Sequence, residues 1–175
     1  MHQLISLLVE NKPGALMRVA GVLTSRGYNI ESLTVARTLD PTLSAMTIVA
    51  QVGEQGRDLL IKQISRLVNV IKAVDLTDSR AVRRELALIK VYVEGDKRSS
   101  LLREAEIFRA RVVDASPKAY TLEVTGSPDK LNALIGLLHA YGPIEMVRSG
   151  AMAMARAKQN KLPVPRYSEA YLSEP

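Results

Sequence analysis

The chain is expected to fold as an α+β protein of two βαββαβ units, and three observations carry that expectation. Strand-type and helix-type hydrophobic periodicities alternate over residues 4–76 in the order strand, helix, strand, strand, helix, strand. The same order returns over residues 86–149, at a spacing of roughly 75 to 80 residues. Between them lies a polar, charged stretch, DSRAVRRE at 78–85, that reads as a linker.

The first unit, residues 1–77, opens with LISLLV (4–9), a short apolar run suited to a buried strand. Leu16, Val19, Ala20 and Leu23 follow at the spacing of one buried helical face, and Gly27 is placed to stop that helix. In IESLTVAR (30–37), Leu33 and Val35 alternate with Ser32 and Thr34, as in a half-exposed strand. Asp40-Pro41 marks a turn, and AMTIVAQV (45–52) sets Met46, Ile48, Ala50 and Val52 on one face. Gly53 and Gly56 bracket a loop before a helix with Leu60, Ile64, Leu67 and Val68 inward, and VIKAVDL (70–76) is the last strand.

In the second unit, residues 86–156, LALIKVYV (86–93) is a strand and 98–108 a helix buried through Leu101, Ala105 and Phe108. Strands RVVDA (111–115) and YTLEV (120–124) flank a Ser116-Pro117-Lys118 turn. Ser127-Pro128-Asp129 starts a helix, with Pro where a missing N–H costs least, and Leu131, Leu134, Ile135 and Leu138 form its inner face. Gly142-Pro143 ends it before IEMVRS (144–149). Met152 and Met154 in AMAMARAKQN read as local packing, and residues 157–175 as a flexible, Pro-bearing tail. Each unit has the order of a ferredoxin-like fold, with two helices on one sheet face. One helical layer leaves the other face bare, so pairing into at least a dimer is expected.

Composition narrows the function classes. Of the 175 residues 47% are hydrophobic, but there are only one Phe, six Tyr and no Trp, so the cores must be aliphatic. With no Cys, disulfides, thiolate nucleophiles and thiolate metal sites are excluded. The net charge of +6 is dispersed: residues 1–78 carry eight Lys and Arg against seven Asp and Glu, and residues 79–150 carry twelve against nine. That mixture reads as a solvated surface, not as a phosphate-tracking stripe. LISLLV is too short for a signal h-region or a membrane span and meets Glu10 at once, so a cytoplasmic location is expected.

The inventory for catalysis is thin. His2 and His139 are isolated from each other and from grouped carboxylates, with no metal-binding spacing. G-x-S-x-G, Walker and G-x-G-x-x-G patterns are missing, and no Ser-His-acid set is legible. No catalytic residue and no metal ligand is assigned.

Binding groups are better represented. In NKPGAL, Asn11 can cap, Pro13 fits a first turn, and Gly14 leaves backbone open where the first helix begins. Free N–H groups there, with the helix dipole, suit a small carboxylate. Asn29, at the start of the second strand, has both a donor and an acceptor on one amide. Asn11, Gly14, Ala15, Leu16, Asn29 and Ile30 together suit a free amino acid, the two apolar side chains flanking an aliphatic group. The competing reading is plain punctuation: a cap at 11–14 and a C-cap turn at 27–29.

Longer stretches carry more information. ENKPGALMRVAGVLTSRGYNIESLTVA (10–36) followed by DPTLSAMTIV (40–49) resembles the opening of the regulatory small subunits of acetolactate synthase, also called acetohydroxyacid synthase. VRRELALIKV (82–91), AEIFRARVVD (105–114) and RSGAMAMAR (148–156) look like the second-half motifs of that family, so the resemblance spans roughly residues 3–156. It implies an N-terminal ACT domain, a C-terminal ACT-like domain and no catalysis by this chain. It also implies a partner, a separate catalytic subunit carrying thiamine diphosphate, Mg and FAD, which the small subunit activates and subjects to feedback inhibition by a branched-chain amino acid, usually valine. Family members hold that effector between two ACT domains, one supplying the turn matched by Asn11, Gly14, Ala15 and Leu16, the other the strand start matched by Asn29 and Ile30. EGDKRS (94–99) stands where the second unit would need an Asn-x-x-Gly turn, so no effector site is expected there.

Three other readings remain open at this point: an ACT-type regulator of another pathway, an RRM-like RNA-binding module, and a small ferredoxin-like enzyme. An RRM stacks bases on aromatics of its central strands, and LISLLV and AMTIVAQV contain none.

Overall fold

The structure is a computed structural model, and it describes residues 2–78 and 81–157. Its strands and helices, in chain order, are β1 (His2–Glu10), α1 (Ala15–Ser25), β2 (Ile30–Arg37), β3 (Leu43–Gln51), α2 (Arg57–Ile64), β4 (Val70–Asp75), β5 (Val82–Tyr92), α3 (Lys97–Ile107), β6 (Arg111–Ala115), β7 (Ala119–Gly126), α4 (Pro128–Leu138), β8 (Ile144–Arg148) and β9 (Met152–Met154). The chain divides into two compact units: residues 1–82 together with 151–175, and residues 83–150.

In the first unit the antiparallel sheet runs β2-β3-β1-β4. The run LISLLV is apolar except at Ser6 because β1 is central and nearly every residue of it is buried. Ile5, Leu7 and Val9 join Met46, Ile48 and Ala50 of β3 beneath Val19 and Leu23 of α1 and Leu60 and Ile64 of α2. Two helix assignments change. On α1 the buried residues are Ala15, Val19 and Leu23, while Leu16 is 39% exposed. The alternative stripes share Val19 and Leu23, and the helix rolls so that the small Ala15 meets the sheet. Helix α2 ends at Ile64, and Val68 lies beyond it, 80% exposed.

The far face of this sheet is partly covered by the chain itself. Leu4, Val49 and Leu76 form a small cluster with Ala151, and Val74, Ala81, Ala153 and Ala155 pack around it. The Thr34 hydroxyl donates to the Ala151 carbonyl at 2.8 Å, and the Ala151 amide donates to Ser32 Oγ at 3.3 Å. The alternation in AMAMA thus turns alanines to the sheet and leaves Met152 and Met154 largely exposed, the reverse of a packed methionine pair. Residues 151–155 group with the first unit, not with the second that precedes them in sequence.

In the second unit the sheet order is β6-β7-β5-β8. Ala87, Ile89 and Val91 of β5 and Leu122 and Val124 of β7 pack under Leu101 and Ala105 of α3 and Leu131, Leu134 and Leu138 of α4. Ser127 caps α4 by accepting from the Lys130 amide at 3.3 Å, and Pro128 occupies the first turn. Gly142 has φ 159, and a Cβ there would meet the Tyr92 carbonyl at 2.1 Å, so no larger residue fits. Val82–Glu85, read as linker, are already strand, since β5 begins at Val82 and its ladder with β7 at Glu85. The proposed tail lies outside the described residues except for Ala157. No helix among the described residues is long and apolar enough to cross a membrane.

Candidate functional site

The turn at 11–14 is held from below, and its helix is left uncapped. The Asn11 amide N–H donates to the Thr42 carbonyl at 2.7 Å, and the Asn11 side chain donates to the Pro41 carbonyl at 2.9 Å. Asn11 therefore ties the turn to the β2–β3 loop and does not cap α1. Gly14 is the N-cap residue, in the left-handed region at φ 82, where glycine alone is unstrained. No side chain caps the helix. The Ala15 amide is taken up by the Lys12 carbonyl at 3.2 Å, which leaves the first-turn N–H groups of Leu16 and Met17 without an intrahelical acceptor. Pro13 precedes the cap instead of entering the first turn.

A polar brace stands behind this turn. Asn69 donates to Glu10 Oε2 at 2.7 Å and accepts from Arg18 at 2.5 Å, while the Glu10 amide donates to the Asn69 carbonyl at 2.8 Å. The hydrogen bond from Asn69, then that from Lys12, holds the Glu10 carboxyl below its usual range. No sequence pattern announced Asn69, whose partner lies 59 residues earlier.

The second turn closes α1. The Gly27 amide donates to Thr24 and the Tyr28 amide to Leu23, with Gly27 at φ 68. The Asn29 carbonyl accepts from the Gln51 amide at 2.9 Å, joining the residue to β3. Its exposed side chain donates through Nδ2 to Glu31 Oε1 at 3.0 Å. Ile30 is half-buried against Ala50.

The six residues fall into two groups that one chain does not bring together. Asn11, Gly14, Ala15 and Leu16 sit at the N-terminal end of α1, and Asn29 and Ile30 follow its C-terminal end. Eleven helical residues span about 16 Å. That exceeds the reach of a free amino acid. Leu16 stands exposed beside the open amides, whereas Ala15 is buried and offers only its backbone. Among the described residues no group of three or more His, Cys, Asp or Glu could hold a metal ion. His2 is exposed on β1, 3.9 Å from Glu31, and His139 is exposed at the end of α4.

Comparison with known proteins matches both units. The family described as "AHAS small subunit-like ACT domain" covers residues 5–72, and "Small subunit of acetolactate synthase" covers residues 84–157. A probable acetolactate synthase small subunit of Archaeoglobus fulgidus is 45% identical over 91% of this chain and 99% of its own length. The acetolactate synthase small subunit of Haemophilus influenzae is 44% identical over 93% and 100%. The crystal structure of the Thermotoga maritima acetolactate synthase small subunit superposes with a TM-score of 0.80 at 36% identity, covering 91% of this chain and 99% of that one. Two ferredoxin-like units, an ACT-type first unit and relatives matched over nearly their full lengths place this chain in the family of acetolactate synthase small subunits.

Proposed function

We propose that this chain is a cytoplasmic, non-catalytic regulatory subunit that docks on the catalytic subunit of acetolactate synthase, raises its activity and confers feedback inhibition by valine. Thiamine diphosphate, magnesium and FAD would belong to that catalytic partner. The observation that carries the valine site is the separation of the two turns on α1. An uncapped helix start suits the effector's carboxylate, and an amide at the far end of the same helix suits its ammonium, so the pocket needs two copies of the chain.

The sheet offers a way to supply the second copy. β2 is an edge strand, paired on one side with β3. Its start lies beside Asn29, and its end leads into the loop whose Pro41 and Thr42 carbonyls hold Asn11. Two β2 edges paired antiparallel about a two-fold axis would lay the start of each against the end of the other. Each Asn29 would then approach the partner's Asn11–Gly14 turn, and Leu16 and Ile30 would flank the isopropyl group. Such isologous contacts repeat the site twice per dimer.

Valine would favour the pairing that closes the pocket and so bias the docked catalytic subunit, by a coupling of about 1–3 kcal/mol. A ligand this small is expected to bind at roughly micromolar to millimolar concentration. Calorimetry of the full chain with valine, leucine, isoleucine and serine tests the class of effector, with valine expected tightest. Asn29→Ala and Gly14→Asp are expected to abolish valine inhibition of the reconstituted complex. Gly14→Asp acts twice, straining a left-handed residue and setting a carboxylate where the effector's must sit. Both variants remaining fully valine-sensitive would overturn the site.

A further inference from the structure

The start of β2 carries a bulge. Ile30 pairs with Ala50 and Ser32 with Val49, so Glu31 is the extra residue between two consecutive β3 partners. A bulge of this kind re-aims the side chain it carries. Here one carboxylate oxygen, Glu31 Oε1, receives two amides at the strand ends: Asn29 Nδ2 at 3.0 Å and Gln51 Nε2 at 2.5 Å. His2 Nε2 lies 3.9 Å from the same oxygen.

The chemistry of that oxygen decides which way both amides face. An ionised carboxylate only accepts, so each amide must turn nitrogen toward it. Flipping Asn29 would set Oδ1 against Oε1. The Asn29 side chain is thereby fixed with Nδ2 turned to Glu31 and its oxygen left over. A lone exposed asparagine would offer either end.

We propose that Glu31 is a positioning residue that gives Asn29 its acceptor polarity, so that this end of the pocket selects an α-ammonium group. The proposal rests on the reading of Asn29 as an effector contact. It favours an α-ammonium, whose N–H groups only donate, over the hydroxyl of the matching hydroxy acid, which can donate or accept, by orientation and not by attraction to the Glu31 charge. A half-exposed carboxylate attracts an ammonium weakly across salt water, whereas a misdirected amide loses a direct hydrogen bond.

The test is calorimetry of the full chain with L-valine and with 2-hydroxyisovalerate, which keeps the carboxylate and the isopropyl group but replaces the ammonium. Glu31→Ala is expected to weaken valine about tenfold and to change the hydroxy acid by less than about twofold, because the freed amide can present nitrogen. Glu31→Gln retains an oxygen for the Asn29 donor and is expected to bind both within about twofold of the parent chain. Glu31→Lys, a donor, turns Asn29 over and is expected to lose valine most. Thermal unfolding confirms that each variant is folded. An unchanged valine-to-hydroxy-acid ratio in Glu31→Ala overturns the proposal, as does Glu31→Gln falling with Glu31→Ala, since charge and not orientation would then act. Asn29→Ala separates the two levels: if it binds valine normally the effector site itself is wrong, and if it loses valine while Glu31→Ala does not, only the role of Glu31 is.

Discussion

At Asp75 opposing terms meet on a single side chain. Burial alone would raise its carboxyl, but the Thr77 hydroxyl and amide, then Gln3 and Arg57, outweigh burial and hold it below the ordinary value of 3.8. The hydroxyl lies at 2.5 Å, the amide at 2.8 Å and Gln3 Nε2 at 2.8 Å. A carboxyl lowered on folding contributes stability that is complete above its unfolded pKa and lost as pH falls through its folded pKa. Asp75→Asn is therefore expected to cost about 1–2 kcal/mol near neutrality. The gap to the parent should narrow between neutrality and about pH 3, as the carboxyl begins to protonate. Denaturant titrations at the two pH values check it, and a gap just as wide in acid would show that geometry, not charge, matters. Residue-level detail was the least legible in the sequence. Asn11 was readable as a helix cap because an Asn three residues before a Gly fits that role. Its donor goes instead to Pro41, 30 residues away, a partner no local pattern reveals. Glu31 stands two residues from Asn29, the spacing that shares one face of extended chain, yet no local pattern reveals that their side chains bond.

Elements were legible wherever periodicity and punctuation agreed. Ser127-Pro128 marks the start of α4 in sequence and in structure, and the Ser127 side chain accepts the bond that the motif implies. Ser127→Ala is expected to lower stability by about 1 kcal/mol, a shift in Tm of about 2–4 °C for a chain of this size. Scanning calorimetry measures it, and Ser127→Asp should restore most of the loss. For α1 the pattern fixed the helix but not its roll. Ala15 and Leu16 are both apolar, and a 3.6-residue period tolerates either as the first inward position. Packing chose the smaller, which left Leu16 exposed beside the uncapped amides. The strand β5 began earlier than expected because Val82-Arg83-Arg84-Glu85 has the charge of a linker. Its backbone is extended all the same, with Glu85 buried and bonded to Arg148.

At the scale of the whole chain, the expected duplication is present: both sheets have the same strand order and both carry two helices on one face. What periodicity did not disclose is how the first sheet covers its second face. AMAMA alternates strictly, but alanine is too small to announce a buried side, and the methionines drew the eye to the wrong one. Ala151 is fully buried on Leu4, Val49 and Leu76. Ala151→Glu, which drives a charge into that cluster, is expected to destabilise the first unit by about 3 kcal/mol or more. Ala151→Ser should cost far less. Limited proteolysis followed by mass spectrometry would report new cuts within residues 1–77 for the glutamate variant. Cuts confined to the second unit would contradict the role given to this segment.

The return of residues 151–155 makes the second unit, in chain terms, an insertion within the first. A ribosome must therefore have passed residue 155 before the leading sheet receives its last layer. Dissection that stops after the first four strands would yield a fragment with greasy residues laid open. Its clumping would report the missing lining, not a failure of the ACT architecture.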